Sequence, residues 1–410
     1  MKKSVKISLI SLCALTFALT VLYALIGVGP IFVIFLNLAV FLLLGGLIAV
    51  KSTRGQKVFR RVVALSLTTA IFAVGLVTSV FGITYGGKQA TDYANRIEIW
   101  GETIPYNIGG SKLEKMNISF LSRPLGANLN FSNTLNKDYY VDAERIMDTM
   151  TYATTIKSGV ENATFTDVPY LIPYVVKDSD SAVIVVCGGG FVNKSINFGA
   201  HEGVTVAKML NDRGISAFVL WYRSNPYEYP VPQADFMRAV KYLRFNASSF
   251  GFNPENVSAV GFSAGAFVVA SYINLFDELY PLDYKKDEID AVSGSINTAG
   301  LVYPVLTYEY NVPMLFCSFD AEKVKDQDQR NELLEKTDLS KHVNSLGVNQ
   351  FISYGTNDYF VNFNGAKKYI AAASEKGVNL KVKEVKGQKH AFSKELCMSE
   401  FIDFLLENEK

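Results

Sequence analysis

From about Phe165 onward, short β-branched and aromatic runs alternate with helical patterns, and this alternation constrains the fold more than any other feature of the chain. Strand-like runs fall at 170–176, 182–186, 217–221, 257–260, 312–319, 349–354 and 380–385. Helical patterns separate several of them, at 203–212, 232–250, 266–275 and 364–376, and another at 394–408 closes the chain. Strands joined through helices lie parallel, because a parallel pair needs a long crossover, and the helices then cover both faces of the sheet. The expected fold class is α/β, a mostly parallel open sheet with helices on both sides.

In such a sheet, residues just past the carboxyl ends of the strands meet along one edge, and that edge is where chemistry is to be sought. Gly261-Phe262-Ser263-Ala264-Gly265 is a G-x-S-x-G pentapeptide standing between a strand-like run and an apolar helix. A serine on a tight strand-to-helix turn has its hydroxyl pushed out over the sheet, and glycines on either side let neighbouring backbone approach closely. A small-residue turn opening a core helix is the plainer reading of the same five residues, so the partners decide between them.

A serine hydroxyl attacks an acyl carbon usefully when a base takes its proton and hydrogen-bond donors await the oxyanion. The chain has three histidines. His201 leads into a helix and His342 precedes the run at 349–354, whereas His390 stands in the polar loop Lys386-Gly387-Gln388-Lys389-His390, between the last strand and the last helix. That loop position favours His390 as the base. Residues 351–358 read as a strand, a glycine turn and then Asp358, which supplies a carboxylate to orient the imidazole in the chain order Ser, Asp, His. Asp320, after the run at 312–319, is the rival, and it would pair with His342.

Donors for an oxyanion have a candidate source as well. The uninterrupted apolar run at 182–186 ends in Cys187-Gly188-Gly189-Gly190-Phe191. Three glycines after a parallel strand let backbone N–H groups turn toward one point without side-chain obstruction. A phosphate-cradling loop would want G-x-x-x-x-G-K-[ST], or G-x-G-x-x-G opening directly into a helix, and neither is present.

The N-terminal quarter is of another kind. The first 84 residues contain no Asp or Glu and hold three apolar stretches, at 5–25, 31–50 and 62–84. Each is close to the ~20 residues a helix needs to cross a bilayer. Lys2, Lys3 and Lys6 precede the first, and Lys51, Arg54, Lys57, Arg60 and Arg61 separate the second from the third. Positive segments stay cytoplasmic, so three spans place everything after Thr84 on the outer face. The competing reading is a cleaved signal peptide, and Cys13 invites a lipoprotein reading, although Leu12 stands where a small residue would be expected. No ionisable residue lies mid-span, which fits a bare anchor better than a transporter.

From Tyr85 onward the chain carries 32 Lys plus Arg against 39 Asp plus Glu, a formal charge of −7, so nucleic acid is not an expected partner. Four cysteines, one of them in the first apolar stretch, do not make a disulfide framework, and no spacing resembles a metal site. Neither a metal nor an organic cofactor is expected. The expected organisation is a membrane anchor over 1–84, a stalk, cap or first-strand region over 85–162 with a possible helix at 141–155, and an α/β domain over 163–410. Oligomeric state is left open.

With these residues assembled, the chain from about Phe165 resembles the α/β-hydrolase esterase/lipase family, in particular its acetyl-xylan-esterase-like carbohydrate esterases. The matching elements, in order, are Gly188 to Phe191, Glu202-Gly203, Tyr222-Arg223, the pentapeptide at 261–265, Tyr303-Pro304-Val305, the turn from Gly355 to Asp358, and His390-Ala391-Phe392. The resemblance implies an α/β-hydrolase fold, with Ser263 as nucleophile, His390 as base and Asp358 as its orienter. It also implies an oxyanion hole from the N–H groups of Gly189, Gly190 and Ala264, and a serine esterase acting on short acyl esters; the expected outward display adds glycan esters as the substrates to look for. Three positions depart from the family pattern: Cys187 where His or Pro is usual, Ala266 where a second Gly is usual, and Ala391 where Gly is common. A catalytically silent recognition domain, a peptidase of the same fold and an acyltransferase using the same triad remain alternatives.

Overall fold

Ala182–Val186 is buried at all five positions, and nothing but apolar side chains leaves it on either face. A strand with two apolar faces belongs in the middle of a covered parallel sheet, and it lies there. In the computed structural model, which describes residues 95–107 and 168–409 apart from 192–193, 197–200, 225–226, 311–314, 346 and 359, eight strands form one sheet. They are β1 (Ile97–Glu98), β2 (Tyr170–Tyr174), β3 (Ala182–Val186), β4 (Ser216–Trp221), β5 (Val257–Phe262), β6 (Thr298–Val302), β7 (Asn349–Gly355) and β8 (Leu380–Val385). Their order across the sheet is β1-β2-β4-β3-β5-β6-β7-β8. The first two pairings are antiparallel and the other five are parallel.

Side-chain alternation along the central strands builds two cores. Ile184 and Val186 of β3 face one way, into a cluster with Phe236, Met237 and Phe267, while Val183 and Val185 face the other, toward Val206, Leu210 and Phe401. This is the period of two that a pleated strand imposes. Five helices cover the faces: α1 (Val204–Asn211), α2 (Val231–Phe245), α3 (Ala264–Leu275), α4 (Phe363–Glu375) and α5 (Met398–Leu406). α2, α3 and α4 contribute to the first cluster, and α1 and α5 to the second. Each large apolar side chain buried this way contributes about 1.5–3 kcal/mol.

Parallel registers align the carboxyl ends of the site-bearing strands. Val186 pairs with Gly261, Phe262 with Val302, and Val302 with Ser353, so the residues after β3, β5, β6 and β7 all emerge at one edge. Residues 99–107 are tied to the sheet by polar side chains. Trp100 Nε1 donates to Asp235, Arg238 Nε donates to Ile99 O, and Arg223, in a fully buried ion pair with Asp235, donates to Pro105 O.

Two expectations are corrected. Within the run at 312–319, residues 312–314 lie outside the described ones and Leu315–Ser318 is helical, so Asp320 does not follow a strand end. A short apolar run carries no periodicity that separates strand from helix. The strand in that part of the chain is instead β6, Thr-Ala-Gly-Leu-Val, which the sequence reading does not single out. Gly300 is there for packing, since a Cβ would lie 2.6 Å from the Phe401 ring. The helical pattern at 232–250 also divides, with α2 ending at Asn246 before a single short turn that Gly251, at φ 79°, terminates.

The three apolar stretches of 1–84 and the helix expected at 141–155 lie outside the described residues. Among the described residues no helix is long and apolar enough to cross a membrane.

Candidate active site

Ser263 sits between β5 and α3 with φ 51° and ψ −117°, a conformation an L-residue adopts only under constraint. The constraint is steric. A Cβ on Gly261 would lie 2.6 Å from Gly265 O, and one on Gly265 would run into Val186 O and lie 2.6 Å from Cys187 O. With both glycines present, strand, turn and helix pack against the end of β3, and the serine is left at the apex.

His390 reaches this serine from the loop after β8. Its Nε2 lies 3.0 Å from Ser263 Oγ, and its Nδ1 lies 2.7 Å from Asp358 Oδ2. The other carboxylate oxygen, Oδ1, accepts the backbone N–H groups of Phe360 and Val361 at 2.9 and 2.8 Å. With a proton on Nδ1 shared with the carboxylate, Nε2 is left with its lone pair facing the serine hydroxyl, the arrangement a general base requires. Phe360 stacks on the imidazole at 5.0 Å, and Tyr303 meets it edge-on at 4.9 Å.

The loops carrying the acid and the base are laced together. Asn357 N donates to Gln388 O, Thr356 N to Val385 O, and Gly387 N to Thr356 Oγ1. Gly355 must be glycine for this, because a Cβ there would collide with Gln388 O. At Ala391, where a glycine was expected from the resemblance, φ is 57°, so an alanine bears the left-handed conformation that glycine would take freely.

The glycine loop lies directly against the Ser263 turn. A Cβ on Gly188 would be 2.8 Å from both Ser263 Cβ and Phe262 O. Gly189 and Gly190 follow with φ of 134° and 63°, and Phe191 with 62°. The backbone N–H groups of Gly189, Gly190 and Ala264 form no hydrogen bond among the described residues. Backbone donors left without a partner are what a developing oxyanion needs.

Of the residues singled out from sequence, the structure brings Ser263, His390 and Asp358 into one hydrogen-bonded series, and it places Gly188 beside Ser263. His201 is exposed and its backbone lies at φ 50°; His342 Nε2 lies 3.0 Å from Glu335 O; Asp320 Oδ1 accepts the Lys323 N–H. The alternative pairing of Asp320 with His342 has no contact to support it. Among the described residues no His, Cys, Asp and Glu cluster has the arrangement of a metal site.

Sequence reasoning singled out Glu202, Tyr222 and Tyr303 only as elements of the resemblance and missed that they form a buried polar layer beneath the site. Glu202 is buried and accepts Gly188 N–H at 2.6 Å and the Tyr303 hydroxyl at 2.8 Å. Burial pushes its carboxyl up, against the opposing effects of Lys394 and these hydrogen bonds. Burial likewise lowers Lys394, and it raises the Cys187 thiol well above its ordinary value, so Cys187 is a neutral packing residue. The signal that could have found Glu202 is an acidic residue opening an otherwise apolar helix.

Comparisons with known proteins bear on the fold that carries this geometry. Residues 170–371 match the BD-FAE family model. The chain is 31% identical over 151 residues to endo-1,4-beta-xylanase B of Butyrivibrio fibrisolvens, a stretch that is 35% of this chain and 23% of that protein. It is 34% identical over 87 residues to the acetylxylan esterase of Xylanibacter ruminicola, 21% of this chain and 18% of that protein. The chain thus spans less than a quarter of either curated relative. Among solved structures, the acetyl ester-xyloside bifunctional hydrolase of Caldicellulosiruptor lactoaceticus superposes with a TM-score of 0.52 at 24% identity, covering 58% of this chain and 88% of that one. Taken with the mostly parallel sheet, the strained serine turn and the order Ser263, Asp358, His390, these likenesses establish that the described domain has the α/β-hydrolase fold, with the BD-FAE match running through residues 170–371.

Proposed function

We propose that the protein is a membrane-anchored serine esterase whose hydrolase domain faces outward and removes short acyl groups, of the acetyl type, from carboxylic esters that include acylated glycans. The observation that carries this reading is the continuous contact from Asp358 through His390 to Ser263, with Gly188 of the glycine loop packed against the same serine. In the reaction, His390 Nε2 takes the Ser263 proton as Oγ attacks the acyl carbon. The carbonyl oxygen becomes an oxyanion accepting hydrogen bonds from the N–H groups of Gly189, Gly190 and Ala264. Collapse of this intermediate expels the alcohol, which receives the proton from His390. Water then attacks the acyl-enzyme by the same route, and the acid leaves.

The acyl and glycan parts of the reading rest on likeness to the acetylxylan esterase, and the outward display rests on the acid-free, triply apolar N-terminal stretch with its two cationic segments. The test is acyl-length selectivity of the purified full-length protein. p-Nitrophenyl esters from acetate to octanoate should be turned over with rates that fall beyond the short chains, and acetate should be released from acetylated xylo-oligosaccharides. A preference for octanoate, or transfer of acetyl to an added alcohol in place of water, would replace this reading with a lipase or an acyltransferase.

A further inference from the structure

The Cys187–Gly188 peptide, which leads from β3 into the glycine loop, is held on both sides by buried side chains. Its N–H donates to Glu202 Oε2 at 2.6 Å, and its carbonyl accepts the Tyr222 hydroxyl at 2.8 Å. Glu202 and Tyr222 are both almost wholly buried. The backbone around Glu202 closes the same ring: its N–H donates to Ser195 O at 2.6 Å, and Ser195 N donates to Gly188 O at 3.1 Å. One peptide plane is therefore fixed immediately before Gly189 and Gly190, the two glycines proposed to supply oxyanion donors, and Gly188 itself packs against Ser263.

The second carboxylate oxygen of Glu202 extends the connection to the base. It accepts the Tyr303 hydroxyl at 2.8 Å, and the Tyr303 ring lies edge-on to His390 at 4.9 Å and to Phe392 at 5.1 Å. Tyr303 has φ 39°, a conformation maintained by its N–H bond to Ser353 O at 2.7 Å. Strained residues persist where their surroundings over-determine them. Here the surroundings include Ser353 and Glu202, and Glu202 bonds both to the glycine loop at Gly188 and to Tyr303, whose ring touches His390.

We infer that Glu202 is a positioning residue for catalysis: it clamps the Cys187–Gly188 peptide so that the Gly189 and Gly190 N–H groups face the oxyanion, and through Tyr303 it sets the bed on which His390 rests. The inference rests on the reading of Ser263 as an acyl nucleophile. It separates two contributions that a burial argument alone would merge. A residue that only stabilises the fold alters the folded fraction, whereas a clamp on the donors is felt in the transition state, where the oxyanion forms, and little in substrate binding.

The experiment uses the full-length protein, Glu202→Ala and Glu202→Gln, with p-nitrophenyl acetate and an alkyl fluorophosphonate as probes. With the second probe, Ser263 Oγ forms a bond to phosphorus as fluoride leaves, and His390 takes the hydroxyl proton; the adduct is tetrahedral and its oxygen occupies the oxyanion position. Glu202→Ala should lower kcat and the phosphonylation rate by about 30-fold or more with KM within about threefold, somewhat less than removing an oxyanion donor outright. Glu202→Gln, whose amide oxygen still accepts the Gly188 N–H, should stay within about fivefold of wild type. Folded Glu202→Ala with wild-type kcat, or with a loss confined to KM, overturns the inference. Equal damage from Gln and Ala overturns it too, since the clamp would then be no more than a buried charge.

Should Glu202→Ala fail to fold, Tyr222→Phe carries the test, because it removes only the hydroxyl on the other side of the peptide. A fall in kcat of about fivefold supports the clamp and an unchanged kcat rejects it. Failure of the esterase reading looks different: no Ser263-dependent ester turnover, with phosphonylation still following Glu202, would reject the substrate class and keep the clamp. Ser263-dependent turnover indifferent to both Glu202 and Tyr222 would do the reverse.

Discussion

Asp358 holds His390 with one carboxylate oxygen and the backbone of its own turn with the other, so the ring orientation is set by a carboxylate that cannot itself rotate. An orienting carboxylate contributes less than the base it serves. Asp358→Asn should therefore lower kcat by about 10³- to 10⁴-fold, and His390→Ala by a further tenfold or more. Steady-state hydrolysis of p-nitrophenyl acetate by the two variants checks this, and the opposite ranking would mean that another carboxylate orients the base.

Gly265→Ala places a methyl group against Val186 O and 2.6 Å from Cys187 O, both backbone atoms that cannot step aside. The expected cost is about 3 kcal/mol or more, at or above the upper end for overpacking, with loss of activity following from displacement of the turn. Gly347→Ala, with nothing within 4 Å of the added carbon, should stay within about 0.5 kcal/mol of wild type. Urea unfolding of the pair measures the difference. Equal stabilities would show that the β3 end and the serine turn are not in contact.

Lys194 is buried between the rings of Trp221 and Tyr222 with its ammonium 2.7 Å from Ser224 Oγ, and burial lowers it to about 7. In the unfolded chain a lysine titrates at its ordinary 10.5. Between these values the unfolded state holds a proton that the folded state has released, so this residue's contribution is least favourable below about pH 7 and improves as pH rises toward 10.5. The stability of wild type relative to Lys194→Met should accordingly climb from about pH 7 to about pH 10, as read by urea unfolding at several pH values. A flat or falling difference would place a charged lysine in the core.

For membrane topology, an impermeant amine-reactive label applied to intact cells should modify Lys208 and Lys376, which are exposed on the hydrolase domain, and spare Lys51 and Lys57. Labelling only after permeabilisation would put the domain in the cytoplasm and remove the outward-facing part of the proposal.

What was legible in the sequence follows from which forces act locally. β3 was readable to the residue because a central parallel strand is apolar on both faces, and the serine turn because its glycines answer to steric contacts within a few residues. β6 was hidden because its small residues serve a distant partner, the ring of Phe401, and leave no periodic trace. The run at 312–319 was misassigned because a short apolar run carries no periodicity that separates a strand from a helical turn. Asp358 and His390 could be proposed from loop position, but the layer beneath them could not. Glu202, Tyr222 and Tyr303 owe their roles to hydrogen bonds spanning 14, 35 and 101 residues, and no local pattern encodes such separations.

The central claim is that Ser263 is the acyl nucleophile, and the most direct measurement is hydrolysis of p-nitrophenyl acetate by the full-length protein beside Ser263→Ala, with both shown to unfold in the same cooperative transition. The account predicts Ser263-dependent turnover that falls by about 10⁵-fold or more in the variant. A folded Ser263→Ala protein retaining activity within about tenfold of wild type would contradict it, because the binding energy and backbone donors left behind cannot replace the covalent step.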